Sequence, residues 1–451
     1  MSTLYTTETI HGELVEGGEI EGNVDGKKIN IDIKTLRDQI PAHCFKPSTT
    51  RSLGFLARDL AVFLALLAAA LALESRLAAA HYPWARFLVC YGAYPFLASV
   101  ALTGLWVLAH ECGHGSFAPG QPLVANSVGF AVHSALMLPY FAWRSSHARH
   151  HQFANNVATD LNYVPPTKAE YRELLRGSVS ASADLDVDHL VEDAPAVVLL
   201  RIVLQQLVGW PWYLLTHITA GPSSSPRKSR GWWDNSHYVP SSSLFREHEF
   251  WRIFASDLGI ATVCYILYLA AQRFGFWTVA WTYVLPWMWV NHWIVMITYL
   301  HHTSPSLPKY TPESWTYLRG ALATVDRDPG FILRHMFHHI IDLHVIHHLF
   351  PRIPHYHAQE ATDAIRPLLG DYYHTDKGSY WGALWVAFTQ CQWVEPDAEK
   401  THGAHLYHKQ SENSNKENNG SADANAGVND ATGVLWYRPG KMPSPAKVMR
   451  S

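Results

Sequence analysis

The chain has 451 residues, with 35 lysines and arginines against 38 acidic residues, so its formal net charge is −3. This near-balance excludes a nucleic-acid binder held by a global basic field, and we expect no nucleic-acid partner. Charged residues make up only 16% of the chain and aromatic residues 13%, which excludes a wholly disordered protein. Histidine is abundant, with 28 copies against 5 scattered cysteines, so we expect imidazole to hold any bound metal.

Four apolar segments predict membrane-spanning helices. Residues 87–109 and 274–300 contain no charged side chain, and each is long enough to cross the roughly 30 Å hydrocarbon core of a bilayer. Two weaker candidates, at about 52–73 and 254–271, reach spanning length when their flanking residues join the helix. The connections between the first two and the last two spans are short. We therefore predict an all-α polytopic membrane protein with four transmembrane helices in two hairpins.

Two further apolar stretches are less simple. Residues 123–142 and 194–218 are long enough to be counted as spans, but both contain polar residues and a proline. Such groups favour interfacial or re-entrant helices. We expect neither stretch to cross the membrane, and we expect His133, within the first, to lie alone at the membrane interface.

The two ends of the chain differ from its middle. Residues 1–40 form a polar N-terminal segment, and residues 41–396 form the membrane domain. Residues 398–432 are rich in Asn, Ser, Gly and Lys and cannot bury enough apolar surface to become ordered. We therefore predict a mostly disordered tail over 397–451.

Three histidine clusters carry the candidate chemistry. HECGH (110–114) ends the span at 87–109, HARHH occupies 147–151, and HVIHH occupies 344–348. Positions i, i+3 and i+4 share one face of a helix, so each cluster can direct its imidazoles to one point. Eight such nitrogens exceed the four ligands of one tetrahedral zinc, and redox chemistry at an all-nitrogen site favours iron over zinc. The predicted ligands of a two-metal site are His110, His114, His147, His150, His151, His344, His347 and His348.

The first cluster also matches the HExxH signature of zinc proteases, in which Glu111 would act as general base. That alternative leaves the other two clusters without a role. We interpret Glu111 instead as a carboxylate that orients a ligand histidine through its second ring nitrogen, and we expect Asp342 to do the same beside His344. A non-catalytic metal carrier is a third alternative, but it predicts polar residues within the spans, which 87–109 lacks.

Membrane topology provides an independent check on the two-metal site. If the N terminus is cytosolic, the first hairpin returns the chain and places His110 and His114 on the cytosolic side. The second cluster stays there only if 123–142 does not cross, since one crossing would separate the first two clusters by about 30 Å. The second hairpin then brings His344–His348 to the same side. We therefore expect a cytosolic helical cap that carries the site, with both termini cytosolic.

Longer motifs resemble those of the membrane-bound fatty-acid desaturases, specifically the delta-12/omega-3 acyl-lipid group of fungi and plants. The resemblance covers about residues 33–395. Its motifs are IPAHCFKPSTTRS (40–52), HECGH, HxxHH, GWPWYL (209–214), YLHHT (299–303), LRGALATVDRDPG (318–330) and FHHIIDLHVIHHLFPRIPHYHA (337–358).

The resemblance implies a centre of two iron ions held by the eight histidines, with His302 as a further ligand and His338 as an additional candidate. It implies O2-dependent desaturation of a fatty-acyl lipid, phospholipid-linked or an acyl-CoA, of the delta-12 type that converts oleoyl to linoleoyl chains. Electrons would come from NADH through cytochrome b5 reductase and a separate cytochrome b5, because the sequence contains no HPGG haem motif and no dinucleotide fingerprint. It also implies a multi-pass protein of the endoplasmic reticulum membrane.

Two segments depart from the pattern of this group. QFANNVATDLNYVP (152–165) replaces a TGHM-like segment, and YLHHTSP (299–305) replaces the more usual YLQHTHP. Both lie near the proposed metals, so they leave the ligands intact but affect which carbons react. An acetylenase, conjugase or hydroxylase variant of the same scaffold therefore remains an alternative.

Overall fold

The computed structural model describes residues 18–24, 27–178, 195–229, 231–397 and 433–437. Helices dominate these residues, which confirms the predicted class. They are α1 (Ile33–Gln39), α2 (Thr49–Ala79), α3 (Pro83–Phe87), α4 (Tyr94–His114), α5 (Pro122–Ala135), α6 (Tyr140–Phe153), α7 (Lys168–Ser178), α8 (Pro195–Thr216), α9 (Phe250–Phe274), α10 (Phe276–Val279), α11 (Leu285–Leu300), α12 (Tyr317–Leu322), α13 (Phe331–Met336), α14 (His344–Leu349), α15 (His355–Leu369) and α16 (Tyr380–Gln390).

Short strands form three small sheets beside the helices. The strands are β1 (Glu19–Val24), β2 (Lys27–Asp32), β3 (Pro308–Tyr310), β4 (Val325–Arg327), β5 (His374–Asp376), β6 (Val394–Pro396) and β7 (Val434–Tyr437). β1 pairs with β2 antiparallel, β4 pairs with β5 in parallel, and β7 lies between β3 and β6. Most of the tail predicted to be disordered, 398–432 and 438–451, lies outside the described residues, while β7 is buried.

Four helices of the described residues are long and apolar enough to cross a membrane. Three of them overlap the predicted spans at 52–73, 87–109 and 254–271. The fourth is α8, which the sequence analysis placed at the membrane interface. The predicted span at 274–300 is absent from this set, because its tryptophans, Asn291 and His292 lower the mean hydropathy of the helix. The four helices are Thr49–Ala79, Pro83–His114, Pro195–Thr216 and Glu247–Phe274.

Helices α4 and α11 lie side by side and run in the same direction. Each follows a π-helical turn, at Leu88–Ala93 and Ala280–Val284 respectively. The Phe96 and Trp289 rings are 5.2 Å apart, and the indole N–H of Trp293 donates to Ser99 Oγ at 3.1 Å. Because residue numbers increase together along both helices, both end at the same level, where the histidines of the first cluster and His302 lie.

Helix α2 runs antiparallel to α4 and completes the first hairpin. Glu74 and Arg86 form an ion pair of 2.6 Å at the end distant from the histidines. At the other end, Asp59 lies against Gly104, where a Cβ atom would come within 2.9 Å of Asp59 Oδ2. Gly104 therefore permits the close approach of α2 to α4.

The stretch at 123–142 does not form one straight helix. Helix α5 ends at Ala135, Met137 adopts a left-handed conformation with φ 60°, and α6 begins at Tyr140. The axes of α5 and α6 differ by 106°, the geometry of a broken span or a re-entrant loop. His133 is fully buried, with Nε2 3.4 Å from the Trp106 carbonyl oxygen, so its predicted place at the membrane interface is wrong.

A second hydrophobic core builds the cap over the histidine end of the bundle. It joins β1, β2 and α1 to α12, α14 and α15 through buried residues such as Ile31, Leu36, Val345 and Ile365. The chain before α2 therefore packs directly on the helices that carry and follow the third histidine cluster.

Candidate metal centre

Helix ends and short helices position the candidate ligands. Helix α4 ends in a left-handed Gly115 (φ 76°), and Ser116 N donates to the Glu111 carbonyl, so the last turn directs His110 and His114 from one face. The second cluster lies on α6 and the third on the six-residue helix α14. His302 follows the last residue of α11 by two positions.

The first group of imidazoles contains five residues from three helices. His110 Nε2 lies 2.9 Å from His147 Nε2 and 3.2 Å from His114 Nε2, and His151 Nε2 lies 3.1 Å from His147 Nε2. One ring nitrogen from each member lies within 4.8 Å of the others. The members are His110, His114, His147, His151 and His347.

The second group lies directly beside the first. His150, His302 and His348 bring one nitrogen each within 4.8 Å of one another, and all three are buried. His344 Nε2 lies 3.3 Å from His302 Nε2, which adds a fourth imidazole. The rings of His151 and His348 stack at 4.1 Å, so the two groups are in contact.

Hydrogen bonding alone cannot satisfy these nitrogens. A ring nitrogen has either one proton or one lone pair, so His110 Nε2 cannot pair with both His147 and His114. His347 Nε2 is buried and has no hydrogen-bond partner among the described residues. A cation that accepts several lone pairs at once would satisfy all of them, and neutral imidazole is the form that binds metal. The residues therefore fit a pair of metal ions.

Two contacts fix the tautomer of ligand candidates in the second group. His150 Nδ1 donates to Asp160 Oδ1 at 2.7 Å, and His344 Nδ1 donates to the Ile340 carbonyl at 3.0 Å. In both rings the proton lies on Nδ1, so Nε2 presents a lone pair to the centre. Burial lowers the pKa of His344 to about 3 and also lowers the pKa of His302 and His348, which keeps these rings neutral.

Tryptophans cover one side of the centre. The Trp143 ring stacks on His147 at 4.4 Å, and the Trp106 ring stacks on His110 at 5.7 Å. A cavity of about 30 Å³ lies between these rings and the second group, with Asn162 and Thr298 in its wall. The cavity beside the centre is therefore narrow and lined by aromatic rings.

Comparisons with known proteins agree with this geometry. The family model for fatty acid desaturase matches residues 83–380. The chain belongs to the fatty acid desaturase family. It is 40% identical over 366 residues to a delta(12) fatty acid desaturase of Mortierella isabellina, covering 80% of this chain and 88% of the relative.

Two further relatives show the range of this family. An oleate hydroxylase of Claviceps purpurea is 38% identical over 385 residues, covering 82% of this chain and 78% of the relative. An omega-6 fatty acid desaturase of Brassica juncea, named with the endoplasmic reticulum, is 38% identical over 370 residues, covering 81% of this chain and 88% of the relative. The protein is thus a membrane-bound desaturase, an oxidoreductase whose substrate is a fatty-acyl lipid, and its histidine groups fit the di-iron site of this family.

Glu111 contacts a different histidine from the one expected. In this desaturase its Oε1 accepts the backbone N–H of His355 at 2.7 Å, and its Oε2 accepts His355 Nδ1–H at 3.0 Å. His355 belongs to neither group. Both carboxylate oxygens are engaged on the side of α4 away from the metals, which also argues against a general base of the HExxH type.

Asp342 and His338 also lie apart from the centre. Asp342 Oδ2 accepts His339 Nδ1–H at 2.9 Å and lies 3.3 Å from Arg334 Nε, whereas His344 is oriented by a backbone carbonyl. His338 Nε2 donates to the buried Asp59 carboxylate at 2.6 Å. Neither of the two groups contains His338, and among the described contacts Asp342 orients no member of them.

Asp160 is a candidate functional residue that the sequence analysis missed, because it bonds His150 of the second group. It belongs to the divergent segment 152–165, in which it is the only acidic residue. Its ten-residue separation from His150 follows no helical spacing, because the chain leaves α6 and turns back through Asn155, whose φ is 64°. The signal available was an acidic residue a short loop after a histidine cluster, which is the usual partner of a metal-binding imidazole.

Proposed function

We propose that this desaturase introduces the delta-12 double bond, converting an oleoyl to a linoleoyl chain at a pair of iron ions. The reaction R–CH2–CH2–R′ + O2 + 2 e⁻ + 2 H⁺ → R–CH=CH–R′ + 2 H2O balances with two electrons from the C–C unit and two from an external donor. Two adjacent groups of buried imidazoles carry the proposal. The relatives named as delta(12) desaturases support the position of the new bond.

We assign one iron to each group. The first iron would be held by His110, His114, His147, His151 and His347, and the second by His150, His302, His344 and His348. The iron pair would supply the one-electron redox chemistry needed to break an aliphatic C–H bond, which has no acidic proton for acid–base catalysis.

The protein's own residues prepare this site. Asp160 and the Ile340 carbonyl hold the protons of His150 and His344 on Nδ1, so that Nε2 faces inward. Trp106 and Trp143 cover the ligand rings and exclude water. Thr298 and Asn162, in the wall of the adjoining cavity, lie where the acyl chain would meet the centre.

Hydroxylation is the second candidate reaction, because the relative from Claviceps purpurea is named as an oleate hydroxylase. Both reactions begin with removal of hydrogen from the same acyl chain at the same histidines. They differ in the next step. Desaturation removes a second hydrogen from the neighbouring carbon, whereas hydroxylation adds an oxygen atom to the carbon that lost the first. The product therefore distinguishes them.

We further propose that cytochrome b5 supplies the electrons and that the protein lies in the endoplasmic reticulum membrane with its histidines on the cytosolic side. The relative named with the endoplasmic reticulum supports this location. The external electron donor is required by the reaction balance. A cytosolic site places the irons on the side where NADH-dependent reduction occurs.

Expression in yeast, followed by mass spectrometry of fatty-acid methyl esters, tests the function. The wild-type chain should produce a diene with the new bond at C12, and His147→Ala should produce none. His335→Ala is the matched control. His335 is exposed, and its Nδ1 bonds the carbonyl oxygen of Phe331. This variant should retain full product formation. A hydroxylated product would select the second candidate, and no lipid product from a stably expressed wild-type chain would contradict both.

A yeast strain without cytochrome b5 tests the electron donor. Product formation should fall in that strain and recover when cytochrome b5 is supplied from a plasmid. Unchanged product formation would contradict cytochrome b5 as the donor and leave the site assignment intact.

A further inference from the structure

A second cluster of metal-binding side chains lies in the cap, apart from the iron ligands. Two members, His43 and Cys44, lie in the 3-10 helix Ala42–Phe45, just before α2. The other two, His357 and Glu360, lie three residues apart on α15 and share one face of that helix. One donor atom from each residue lies within 4.8 Å of the others.

We propose that these four side chains bind a zinc ion that clips the chain before the first spanning helix to the helix that follows the third histidine cluster. Two imidazoles, one thiolate and one carboxylate are a complete tetrahedral ligand set for zinc. The thiolate and carboxylate together neutralise the charge of a divalent cation. Sulfur in the set favours zinc over calcium or magnesium, which prefer oxygen.

The local geometry already brings the four groups together. His43 Nε2 lies 2.8 Å from Glu360 Oε2 and 3.8 Å from Cys44 Sγ, and the rings of His43 and His357 are 5.3 Å apart, edge to face. Cys44 is fully buried, while His43 and Glu360 are exposed, so an ion has access from the solvent. Small side-chain movements are enough to direct all four donors to one point.

Neighbouring contacts hold the two elements in register before any ion binds. The Tyr356 hydroxyl accepts the backbone N–H of Ser48 at 2.7 Å, and the Arg51 guanidinium lies 4.1 Å above the Tyr356 ring. Burial and then the charge of Arg51 lower the pKa of His357, which favours the neutral, metal-binding imidazole. Burial and then the charge of Glu360 raise the pKa of Cys44 to about 11, so its thiol must release a proton when zinc binds. The ion would therefore fasten a contact that exists, with little cost in chain ordering.

The clip would act on the cap and not on the chemistry. His355, two residues before His357, bonds Glu111 beside His110, and Phe55 of α2 packs against the His355 ring at 4.6 Å. Fixing α15 to the segment before α2 thus stabilises the wall behind the iron ligands. The proposal does not depend on which acyl product the enzyme makes.

Cobalt(II) titration of the full-length protein in detergent tests this site, because a thiolate ligand gives cobalt an intense near-ultraviolet charge-transfer absorption. The proposed iron ligands include no cysteine, so this absorption reports on the clip alone. Wild-type protein that is already loaded with iron should show it, and one equivalent of zinc per chain should then displace the cobalt. Cys44→Ser should abolish it.

Cys264→Ser is the matched control, since Cys264 is exposed on α9 and belongs to neither metal group, and it should leave the absorption unchanged. Because Cys44 is buried, variants at the half-buried His357 and the exposed Glu360 provide a second route. Glu360→Gln and His357→Asn should keep the fold and weaken zinc binding by at least about tenfold, the loss seen even for supporting contacts. Absence of the absorption in the wild type, or its survival in Cys44→Ser, would overturn the proposal.

Discussion

Asp160→Asn tests whether a carboxylate fixes an iron ligand. Asp160 Oδ1 accepts His150 Nδ1–H at 2.7 Å, and Oδ2 accepts the backbone N–H of Asn155 at 2.7 Å. An asparagine has nearly the same volume but only one acceptor oxygen. If its NH2 group faces His150, two donors oppose each other, and the ring is driven to the tautomer whose Nε2 carries the proton. If it faces Asn155, a backbone donor is left opposite another donor.

Either orientation has a cost that the structure allows us to size. A buried donor without an acceptor costs about 1–3 kcal/mol. Loss of the carboxylate partner of a metal-binding histidine weakens metal binding about 10- to 100-fold, or about 1.4–2.7 kcal/mol. We expect Asp160→Asn to weaken iron binding by this factor, and therefore to lower the iron content of the purified protein and the double-bond formation in yeast.

Iron analysis of the purified variant and fatty-acid profiles from the same cells provide the measurement. Asp342→Asn is the matched control, because Asp342 bonds His339 and Arg334 and orients no proposed ligand among the described contacts. It should retain the iron content and activity of the wild type, because no proposed ligand loses a hydrogen-bond partner. Wild-type iron content and activity in Asp160→Asn, at equal protein level, would refute the reasoning.

Three further results are expected. Glu111→Gln should lower double-bond formation without abolishing it, because the amide oxygen can still accept a His355 N–H. Complete loss of product at normal iron content would indicate that Glu111 takes part directly in the reaction. Gly129→Ala should lower the free energy of unfolding by about 1–3 kcal/mol, because the added Cβ would overlap the Tyr140 ring. Gly92→Ala should not, because its added Cβ would meet open space. Equal melting temperatures of the two variants would contradict this packing. Removal of iron with a chelator should lower the unfolding temperature of the wild type, because bound iron adds about 2.7 kcal/mol to the free energy of unfolding when its free concentration is 100 times the Kd. The unfolding temperature of His147→Ala should not change. An equal shift in both proteins would place the iron elsewhere.

The histidine groups could be predicted because their spacing follows helix geometry. His147, His150 and His151 face one side of α6 by the i, i+3, i+4 rule, and the structure places all three at the centre. The same rule shows why Glu111 was misplaced. One residue advances the helix by about 100°, so Glu111 cannot point where His110 points, and it reaches His355 instead.

Other contacts depend on backbone turns that no periodicity reveals. His338 and His339 both have positive φ, at 51° and 61°, which breaks the helical pattern between α13 and α14 and turns His338 towards Asp59. Asp160 approaches His150 only because a loop with a left-handed Asn155 reverses the chain. The contacts of Asp59 with His338 and of Asp160 with His150 therefore could not be predicted from residue spacing. The only available signal was an acidic residue close to an apolar or a metal-binding segment.

The position of α8 follows from the second metal group and not from hydropathy. His150 Nε2 and His302 Nε2 are 3.3 Å apart, so the chain between them must return to the membrane face from which it left. An even number of crossings therefore separates the two residues. Among the described residues of that interval, 151–178, 195–229 and 231–301, three apolar helices occur: α8, α9 and the combined α10–α11.

Packing decides which two of the three cross. The α10–α11 segment follows α4 along its length, from Tyr94 against Trp281 to the histidine end, so it crosses whenever α4 does. Helix α9 starts beside α6, where Ser256 Oγ accepts the Phe141 N–H, and ends at Gly275 next to the start of α10. It must therefore carry the chain to the distant end of α11. These would be two crossings, so we expect α8 not to cross, although it is long and apolar enough to do so.

Cysteine labelling in sealed microsomes distinguishes this arrangement from a crossing of α8. In a Cys264→Ser background, Ala196→Cys at the start of α8 and Ser229→Cys after its end should react alike with a membrane-impermeant maleimide, because both would lie on the cytosolic face. Ala80→Cys, which is exposed at the end of α2 distant from the histidines, should react only after the membrane is opened by detergent. If Ala196→Cys behaved like Ala80→Cys, α8 would cross once, and His150 and His302 could not then meet at a common ion.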